Sequence, residues 1–367
     1  MAIIVIGLNY RTAPVELRER LTISPARLVE ILPGMNTKLG TSGSVLLSTC
    51  NRTEMYLSAE NIAEAKKKAV EFIKAHAQSE IADAHIYTCD EEEAIRHLFR
   101  VAGGLDSLVV GENEILSQVK QAYQAAHDAG ITDTWINVLF QRSLYIGKRV
   151  RTETGLSQGS ASVASVAVAL AERIFEDLHQ RDVMILGAGK MAELTAKYLL
   201  SQKVRSIIVA NRTYERACEL ANQFNGRAIH YEEAMQQMEH ADIIICSTSA
   251  PHPVIQAAQV RQIMQRRKGR SLFFIDIAMP RDVHPDVHRI DNVYVYHMDD
   301  LQSIVAENTA RRSGEISQAE AIIQEKSREF IQWLADRRTG RTHGFKHGSN
   351  YTPRKVDQTD TDASSEA

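Results

Sequence analysis

The feature that most constrains this chain is a glycine-rich turn at residues 187–192, with the sequence Gly-Ala-Gly-Lys-Met-Ala. The turn follows an apolar run at 183–186, opens a helical stretch to Leu200, and precedes a second apolar run at 207–210. In such a β-α-β unit the pattern G-x-G-x-x-A predicts a dinucleotide site. Its two glycines let the backbone approach a pyrophosphate at the helix N-terminus, and the third small residue allows close packing. A tight turn without a ligand is the alternative. The predicted cofactor-binding residues are Gly187, Ala188, Gly189, Lys190, Met191 and Ala192.

The end of the second strand indicates which dinucleotide binds. An Asp or Glu at this place hydrogen-bonds the ribose of NAD, whereas this chain has Asn211, Arg212 and Thr213 there. A guanidinium and a hydroxyl complement a 2′-phosphate, which a carboxylate would repel. We therefore predict NADP(H) as the cofactor, with these three residues in its site. The alternative is that Arg212 is an ordinary surface charge.

The order of strands and helices predicts an α/β fold. Buried-strand runs recur at 243–245 and 273–275 between helical stretches, which favours a doubly wound parallel sheet. A segment rich in Ser, Gly and Ala begins at residue 157 and is typical of a boundary. The predicted units are an α+β domain over 1–156, a Rossmann-type NADP-binding domain over 157–298, a long helix over 299–336, and a disordered tail over 337–367.

Composition excludes several classes of protein. Apolar residues make up 44% and charged residues 24% of the 367 residues, which excludes wholesale disorder. No apolar run approaches the roughly 18 residues of a membrane helix, and the N-terminus has no basic region typical of a signal peptide. The four cysteines form no CxxC pair, so we expect no metal site, no disulfide framework and a cytoplasmic location. The net charge of −3 confines any nucleic-acid surface to a local basic patch.

A polar loop at 48–54 lies between two predicted strands and contains Cys50. A nearby guanidinium lowers a thiol pKa and favours the nucleophilic thiolate, and Arg52 stands two residues on. An inert loop cysteine is the alternative, and Cys89 is a rival candidate. Cys89 precedes a helix that we predict to begin with an N-cap at Asp90 and a capping box to Glu93.

Two further groups of polar residues are candidates for the site, but each also has an ordinary structural interpretation. His97 lies beside the apolar stripe of the helix after Asp90, where a partly buried packing role is the ordinary interpretation. Glu112, Glu114 and Gln118 open a helix predicted from about 112 to 129, where acids also favour the helix dipole.

Several long motifs, taken together and in order, resemble the glutamyl-tRNA reductase family over residues 1 to 336. They lie at 7–14, 48–54, 104–112 and 147–154, followed by the nucleotide turn and 211–213. The resemblance implies an NADPH-dependent enzyme that reduces glutamyl-tRNA(Glu) to glutamate-1-semialdehyde, the first step of the five-carbon route to 5-aminolevulinate and porphyrins. In such an enzyme Cys50 attacks the ester, tRNA leaves, and the resulting thioester is reduced.

The resemblance also implies residue roles. His97 is the histidine important for activity, which assists proton transfer or orients the substrate. Arg52 is suited to bidentate capture of the glutamate side-chain carboxylate, and the acids would hold the α-ammonium. The implied substrate-binding residues are Thr49, Asn51, Arg52, Ser107, Glu112, Asn113, Glu114 and Gln118.

Partners are implied by the resemblance as well. Beside glutamyl-tRNA(Glu), they include glutamate-1-semialdehyde aminomutase and a second copy of the chain, bound through a C-terminal helical domain. The spinal helix leading to that domain is recognisable at 299–336, but the helices after it are not, so we expect a truncated dimerisation region. This departure puts the homodimer in question. The densest basic cluster consists of Arg142, Lys148, Arg149 and Arg151, which we interpret as tRNA phosphate contacts or as a solvated helix face.

Two other functions remain open from the residues alone. One is an NADP-dependent dehydrogenase of the shikimate dehydrogenase kind, whose nucleotide domain carries similar Asn-Arg-Thr chemistry but which has no use for Cys50. The other is a non-catalytic, shortened paralogue that keeps only ligand or partner binding.

Overall fold

The computed structural model describes residues 1–23, 25–77, 81–108, 110–112, 114–156, 163–309 and 313–339. Two sheets organise these residues, one antiparallel and one parallel. Among the described residues, no helix is both long enough and apolar enough to cross a membrane.

The N-terminal domain is built on a four-stranded antiparallel sheet in the order β2-β3-β1-β4. Its strands are β1 (Ala2–Asn9), β2 (Gly43–Ser48), β3 (Arg52–Ala59) and β4 (Tyr87–Asp90). Every residue of β1 and β3 is buried, so both faces of the sheet centre are covered. Strands β2 and β3 pair from Gly43 opposite Ser58 to Ser48 opposite Thr53, which leaves Thr49, Cys50 and Asn51 as the turn.

Among the residues that the structure describes, seven helices of the N-terminal domain surround this sheet. They are α1 (Val15–Leu21), α2 (Pro25–Ile31), α3 (Met35–Leu39), α4 (Ile62–Ala77), α5 (Glu92–Ala102), α6 (Glu114–Asp128) and α7 (Thr134–Glu153), with a 3₁₀ turn at Asp83–His85. The predicted capping box at Asp90 is wrong. Asp90 is the last residue of β4, where it pairs with Ile4, and α5 follows Glu91, which has a positive φ of 45° and no side-chain cap. Glu112 precedes α6 instead of opening it.

The predicted doubly wound parallel sheet is confirmed. Six parallel strands lie in the order β10-β9-β8-β5-β6-β7. They are β5 (Asp182–Leu186), β6 (Ser206–Asn211), β7 (Arg227–His230), β8 (Ile243–Cys246), β9 (Leu272–Asp276) and β10 (Val293–His297). The order reverses between β5 and β8, which is the switch point where open α/β sheets bind ligands.

Helices and short turns cover both faces of this sheet. They are α8 (Val163–Phe175), α9 (Lys190–Ser201), α10 (Tyr214–Gln223), α11 (Ala234–Gln237) and α12 (Ala257–Arg267), with 3₁₀ segments at Tyr231–Glu233 and Pro285–Arg289. The apolar side chains on the two faces form two separate cores.

Two helices follow the parallel sheet. Helix α13 (Met298–Thr309) places the fully buried Leu301 in one core of the parallel sheet. Helix α14 (Ser313–Arg338) returns to the N-terminal domain, where Phe330 packs edge-on against Phe99 with ring centroids 5.8 Å apart. The predicted long helix at 299–336 is thus described as two helical segments with different partners. The predicted truncation and most of the predicted tail, from residue 340, lie outside the described residues.

Candidate active site

The turn that carries Cys50 is held from both sides. Within the turn, Thr49 Oγ1 accepts hydrogen bonds from the backbone amides of Asn51 and Arg52, both at 3.2 Å. From α1, the buried guanidinium of Arg18 donates to the carbonyl of Cys50 at 2.8 Å and to Asn51 Oδ1 at 3.1 Å. The backbone at the nucleophile candidate is therefore fixed by the fold. Sequence reasoning missed Arg18, because nothing near it in the chain points to this loop.

Cys50 opens into a small cavity of about 30 Å³ between the two domains. Its lining residues are Thr49, Cys50, Asn51, Arg52, Ser107, Glu112, Glu114, Ile115, Gln118, Val163, Met191, Met298 and Gln302. The structure thus brings seven of the eight predicted substrate-binding residues together around the thiol, and the eighth, Asn113, lies outside the described residues. Val163, Met298 and Gln302 come from beyond the N-terminal domain, and no local sequence signal marks them.

The expected effect of Arg52 on the thiol is wrong. The pKa of Cys50 is raised to about 12, mainly by burial and also by Glu112 and Glu114, whereas Arg18 acts to lower it. Arg52 does not act as the activating cation because its guanidinium is engaged by carboxylates on its other side. The thiol therefore needs a proton acceptor. Glu112 lines the same cavity, and its pKa is raised to about 7 by burial and by Glu114, against a lowering by Ser107.

Arg52 belongs to a buried ion network. Its Nη1 lies 2.6 Å from Glu54 Oε1 and 3.2 Å from Asp106 Oδ2, and its Nη2 donates to Asp106 as well. Both terminal nitrogens are thus committed within the protein, which conflicts with the expected bidentate capture of a substrate carboxylate. Nε of Arg52 is buried and has no hydrogen-bond partner among the described residues. This single N–H remains for a ligand.

His97 joins the same network and not the cavity. Its Nε2 donates to Glu54 Oε1 at 3.0 Å, and its ring packs edge-on against Tyr87 at 5.6 Å. The hydroxyls of Tyr56 and Tyr87 also donate to Glu54. His97 is not one of the described residues that line the Cys50 cavity. Its connection to the cavity runs through Glu54 and Arg52.

The other cysteines lie elsewhere. Cys89 is in β4, Cys218 is in α10, and Cys246 is buried at the end of β8. None of the three is among the described residues that line the Cys50 cavity.

The glycine-rich turn has the close approach that the sequence predicts. Gly187 has a φ of 99°, and a Cβ on it would lie 2.3 Å from the carbonyl oxygen of Ser247. A Cβ on Gly189 would lie 2.3 Å from Ser247 Oγ. Lys190 begins α9, and Ala192 is fully buried against the sheet. Only glycine fits at the two positions where a pyrophosphate would approach.

A second cavity, of about 500 Å³, lies at this turn. Its lining residues are Ala188, Gly189, Asn211, Arg212, Thr213, Arg216, Tyr231, Ser247, Thr248, Ser249 and Ala250. The guanidinium of Arg212 lies over the ring of Tyr231, 5.6 Å from its centroid, and Arg216 adds a second positive charge. These residues fit an NADP(H) 2′-phosphate. Arg216, Tyr231 and the segment 247–250 are additions that the sequence did not single out.

The nucleotide turn lies between the two cavities. Gly189 lines the larger cavity, and Met191, two residues on, lines the Cys50 cavity. Ion pairs join the domains around this point. Arg281 Nε lies 2.9 Å from Glu19 Oε1 of α1, and Arg18 of α1 pairs with Asp299 of α13. The fold thus places a thiol and a nucleotide site side by side.

The basic cluster lies along α7. Arg149 pairs with Glu153 at 2.6 Å, and Arg142 lies over the ring of Tyr145 at 5.7 Å. Lys148 is exposed. Arg142 and Arg149 thus make local contacts, and both interpretations of the cluster, tRNA phosphate contacts or a solvated helix face, stay predictions.

Comparison with known proteins agrees with this geometry. Residues 6–154 match the family described as glutamyl-tRNAGlu reductase, N-terminal domain, and residues 169–304 match shikimate / quinate 5-dehydrogenase. The glutamyl-tRNA reductase of Desulforudis audaxviator is 46% identical over 92% of this chain and 76% of its own length. That of Geobacter sulfurreducens is 42% identical over 91% of this chain and 78% of its own length. The structure of the Methanopyrus kandleri enzyme is 40% identical over 92% of this chain and 82% of its own length, with a TM-score of 0.49. The shikimate dehydrogenase likeness is confined to the nucleotide domain, whereas the reductases match both domains, and the chain belongs to the glutamyl-tRNA reductase family.

Proposed function

We propose that this protein reduces glutamyl-tRNA(Glu) to glutamate-1-semialdehyde with NADPH and releases tRNA, through a thioester on Cys50. This is the first step of the five-carbon route to 5-aminolevulinate and porphyrins. The observation that carries the proposal is the cavity shared by Cys50 and Met191, where a nucleophile meets the edge of a nucleotide site. A dehydrogenase for a small hydroxy acid would need no thiol there.

The first step exchanges one ester for another. Sγ of Cys50 bonds to the carbonyl carbon of the glutamyl ester, the bond from that carbon to the ribose oxygen breaks, and the thiol proton ends on the departing tRNA hydroxyl. We assign the transfer of this proton to Glu112, which lines the same cavity, because a carboxyl with a pKa of about 7 both accepts and returns protons near neutral pH.

The second step reduces the thioester. NADPH, when bound, would supply the hydride for the thioester carbonyl. As the C–S bond breaks, the sulfur takes a proton from Glu112 and Cys50 is restored as the thiol. A thioester carbonyl is a better hydride acceptor than the oxygen ester it replaces. The cavity also needs to exclude water, which would hydrolyse the intermediate. Its small volume and the side chains of Val163, Met191 and Met298 support this role.

The two charged ends of the glutamyl group find complementary groups in the cavity. Nε of Arg52 is a buried cationic donor without a partner among the described residues and suits the side-chain carboxylate. Glu112 and Glu114 suit the α-ammonium. Thr49 and Asn51 shape the Cys50 turn, and Ser107 and Gln118 complete the lining. We assign His97 as a positioning residue, since it orients Arg52 through Glu54.

The cofactor and partners follow from the same assignment. The turn at 187–192, with Asn211, Arg212 and Thr213, would hold NADPH. The exposed Lys148 is available to a tRNA phosphate. The unstable aldehyde product favours transfer to glutamate-1-semialdehyde aminomutase, and a homodimer is the assembly implied by the family. The four free thiols support a cytoplasmic location.

The test is NADPH oxidation by the purified protein with glutamyl-tRNA, uncharged tRNA or free glutamate, with the aldehyde trapped as product. We expect NADPH oxidation with glutamyl-tRNA and none with uncharged tRNA or free glutamate. Cys50→Ser should abolish turnover and leave NADPH binding unchanged, and Cys89→Ser is the matched control that keeps both. Oxidation of NADPH that survives Cys50→Ser, or that needs no charged tRNA, would favour the dehydrogenase alternative.

A further inference from the structure

Gln302 occupies an unusual position in the Cys50 cavity. It lies on α13, the helix after the parallel sheet, and faces a cavity otherwise lined mostly by the N-terminal domain. Its side chain is 98% buried, and its Oε1 has no hydrogen-bond partner among the described residues. A buried carbonyl oxygen without a donor is destabilising, so such a group in a binding cavity points to a ligand that donates.

Three side chains with hydrogen-bond acceptors line this part of the cavity. Glu112 and Glu114 line it together with Gln302, and burial raises the pKa of both acids. Arg52 is the cation among the described lining residues, and its terminal nitrogens are held by Glu54 and Asp106. Nearby cations lower the pKa of these acids, Arg52 and Arg151 that of Glu112 and Lys190 that of Glu114. Oε1 of Gln302, in contrast, has no donor among the described residues.

We infer that Oε1 of Gln302 accepts a hydrogen bond from the α-ammonium of the glutamyl substrate and completes, with Glu112 and Glu114, the site for that group. This inference rests on the proposed function. An ammonium has three N–H donors and no acceptor, which matches the three acceptors that line this cavity. Arg52, whose Nε has no partner among the described residues, lines the same cavity and is available to the side-chain carboxylate of the substrate.

The assignment makes Gln302 a specificity residue. A site built to hydrogen-bond a substrate group rejects an analogue that lacks the group, because its own buried polar atoms are then left unpaired. An acyl-tRNA without the α-ammonium would leave Gln302 in that state. Recognition of the α-amino ester would thus depend on a helix that follows the nucleotide domain.

The experiment compares glutamyl-tRNA with glutaryl-tRNA, in which hydrogen replaces the α-ammonium. Gln302→Leu should lower kcat/KM for glutamyl-tRNA by about tenfold or more and change it little for glutaryl-tRNA. Gln302→Glu keeps an acceptor and should retain the preference for glutamyl-tRNA. Ser303→Ala, an exposed change on the same helix, is the control and should leave both values unchanged.

A binding measurement separates this inference from the proposed function. Calorimetry with 3′-glutamylamino-3′-deoxyadenosine and its glutaryl counterpart needs no turnover. The wild-type protein should prefer the first ligand, and Gln302→Leu should reduce that preference by about tenfold. An equal preference in both proteins, or its loss in Gln302→Glu, would overturn the inference. If the wild type prefers the glutamyl ligand, Gln302→Leu loses that preference, and the wild type does not reduce glutamyl-tRNA, then the proposed function fails and the ammonium site stands.

Discussion

Replacement of Glu54 by glutamine tests the buried network that supports the candidate site. Glu54 is fully buried and accepts hydrogen bonds from Arg52, His97, Tyr56 and Tyr87. Burial alone would raise the pKa of Glu54, but Arg52 and His97 hold it well below its usual range. The glutamine side chain keeps the shape and removes the negative charge, so Arg52 keeps only Asp106 as a neutralising partner.

The magnitude follows from the burial of both partners. Side-chain exposure is 1% for Arg52 and 0% for Glu54, and loss of one partner from a buried ion pair costs about 3–5 kcal/mol. Glu91→Gln is the matched control, because Glu91 pairs with Arg338 where both side chains are about one-third exposed. An exposed pair contributes about 0–1 kcal/mol. We therefore expect Glu54→Gln to lower the free energy of unfolding by several times the effect of the control.

Tryptophan fluorescence during urea unfolding is a suitable assay. Both tryptophans of the chain, Trp135 and Trp333, pack against the N-terminal core, so the signal reports the domain that contains Glu54. A loss below about 1 kcal/mol, equal to that of Glu91→Gln, would refute the reasoning, since it would place the Arg52–Glu54 pair in a solvent-like environment.

The pH dependence gives a second check on Glu54. The pKa of a glutamate in an unfolded chain is about 4.3, and the pKa of Glu54 in the folded protein is lower. Glu54 therefore contributes its full stabilisation above about pH 4.3 and loses it as the pH falls through the folded value. The difference between wild type and Glu54→Gln should be constant above that pH and narrow below it. A difference that instead grows on acidification would contradict the sign of the shift.

Two further predictions concern the nucleotide cavity and the last helix. Arg212→Ala should raise the KM for NADPH by about 10- to 100-fold, because a charged hydrogen-bond donor to the 2′-phosphate is lost. The KM for NADH should stay nearly unchanged. If steady-state kinetics showed the same increase in KM for both cofactors, the 2′-phosphate assignment would be contradicted. Phe330→Ala should lower the free energy of unfolding by about 3–5 kcal/mol, since Phe330 is fully buried against Phe99. Circular dichroism during denaturation would measure this, and a loss below about 1 kcal/mol would show that α14 contributes little to the N-terminal core.

The nucleotide domain was the most predictable part of the chain. Its strands are continuous apolar runs because both faces of a parallel sheet are buried, and its turn needs glycine because Ser247 approaches Gly187 and Gly189 closely. Both the burial of the strands and the need for glycine constrain residues that are neighbours in the chain, so both can be recognised in the sequence. Arg216, Tyr231 and Ser247 were not predicted because they reach the cavity from three different parts of the domain, α10, a 3₁₀ segment and the residue after β8.

The N-terminal domain shows where local patterns mislead. Asp90 has the residue type and spacing of a helix cap, but pairing with Ile4 draws it into β4. Arg52 is two residues from Cys50 and still does not activate it, because Glu54 and Asp106 bind its guanidinium. Proximity in sequence therefore gave the wrong sign for the change in the thiol pKa.

Local patterns in the sequence were enough to predict the doubly wound sheet, the glycine turn and the basic residue after β6. These depend on periodicity and on motifs whose residues lie within a few positions of one another. Tertiary contacts set the charge environment of Cys50, the engagement of Arg52, the return of α14 to the first domain, and the positions of Arg18 at the Cys50 turn and of Gln302 at the cavity. Each of these is a contact between residues far apart in the chain, set by how two domains pack, and no local pattern in the sequence encodes it.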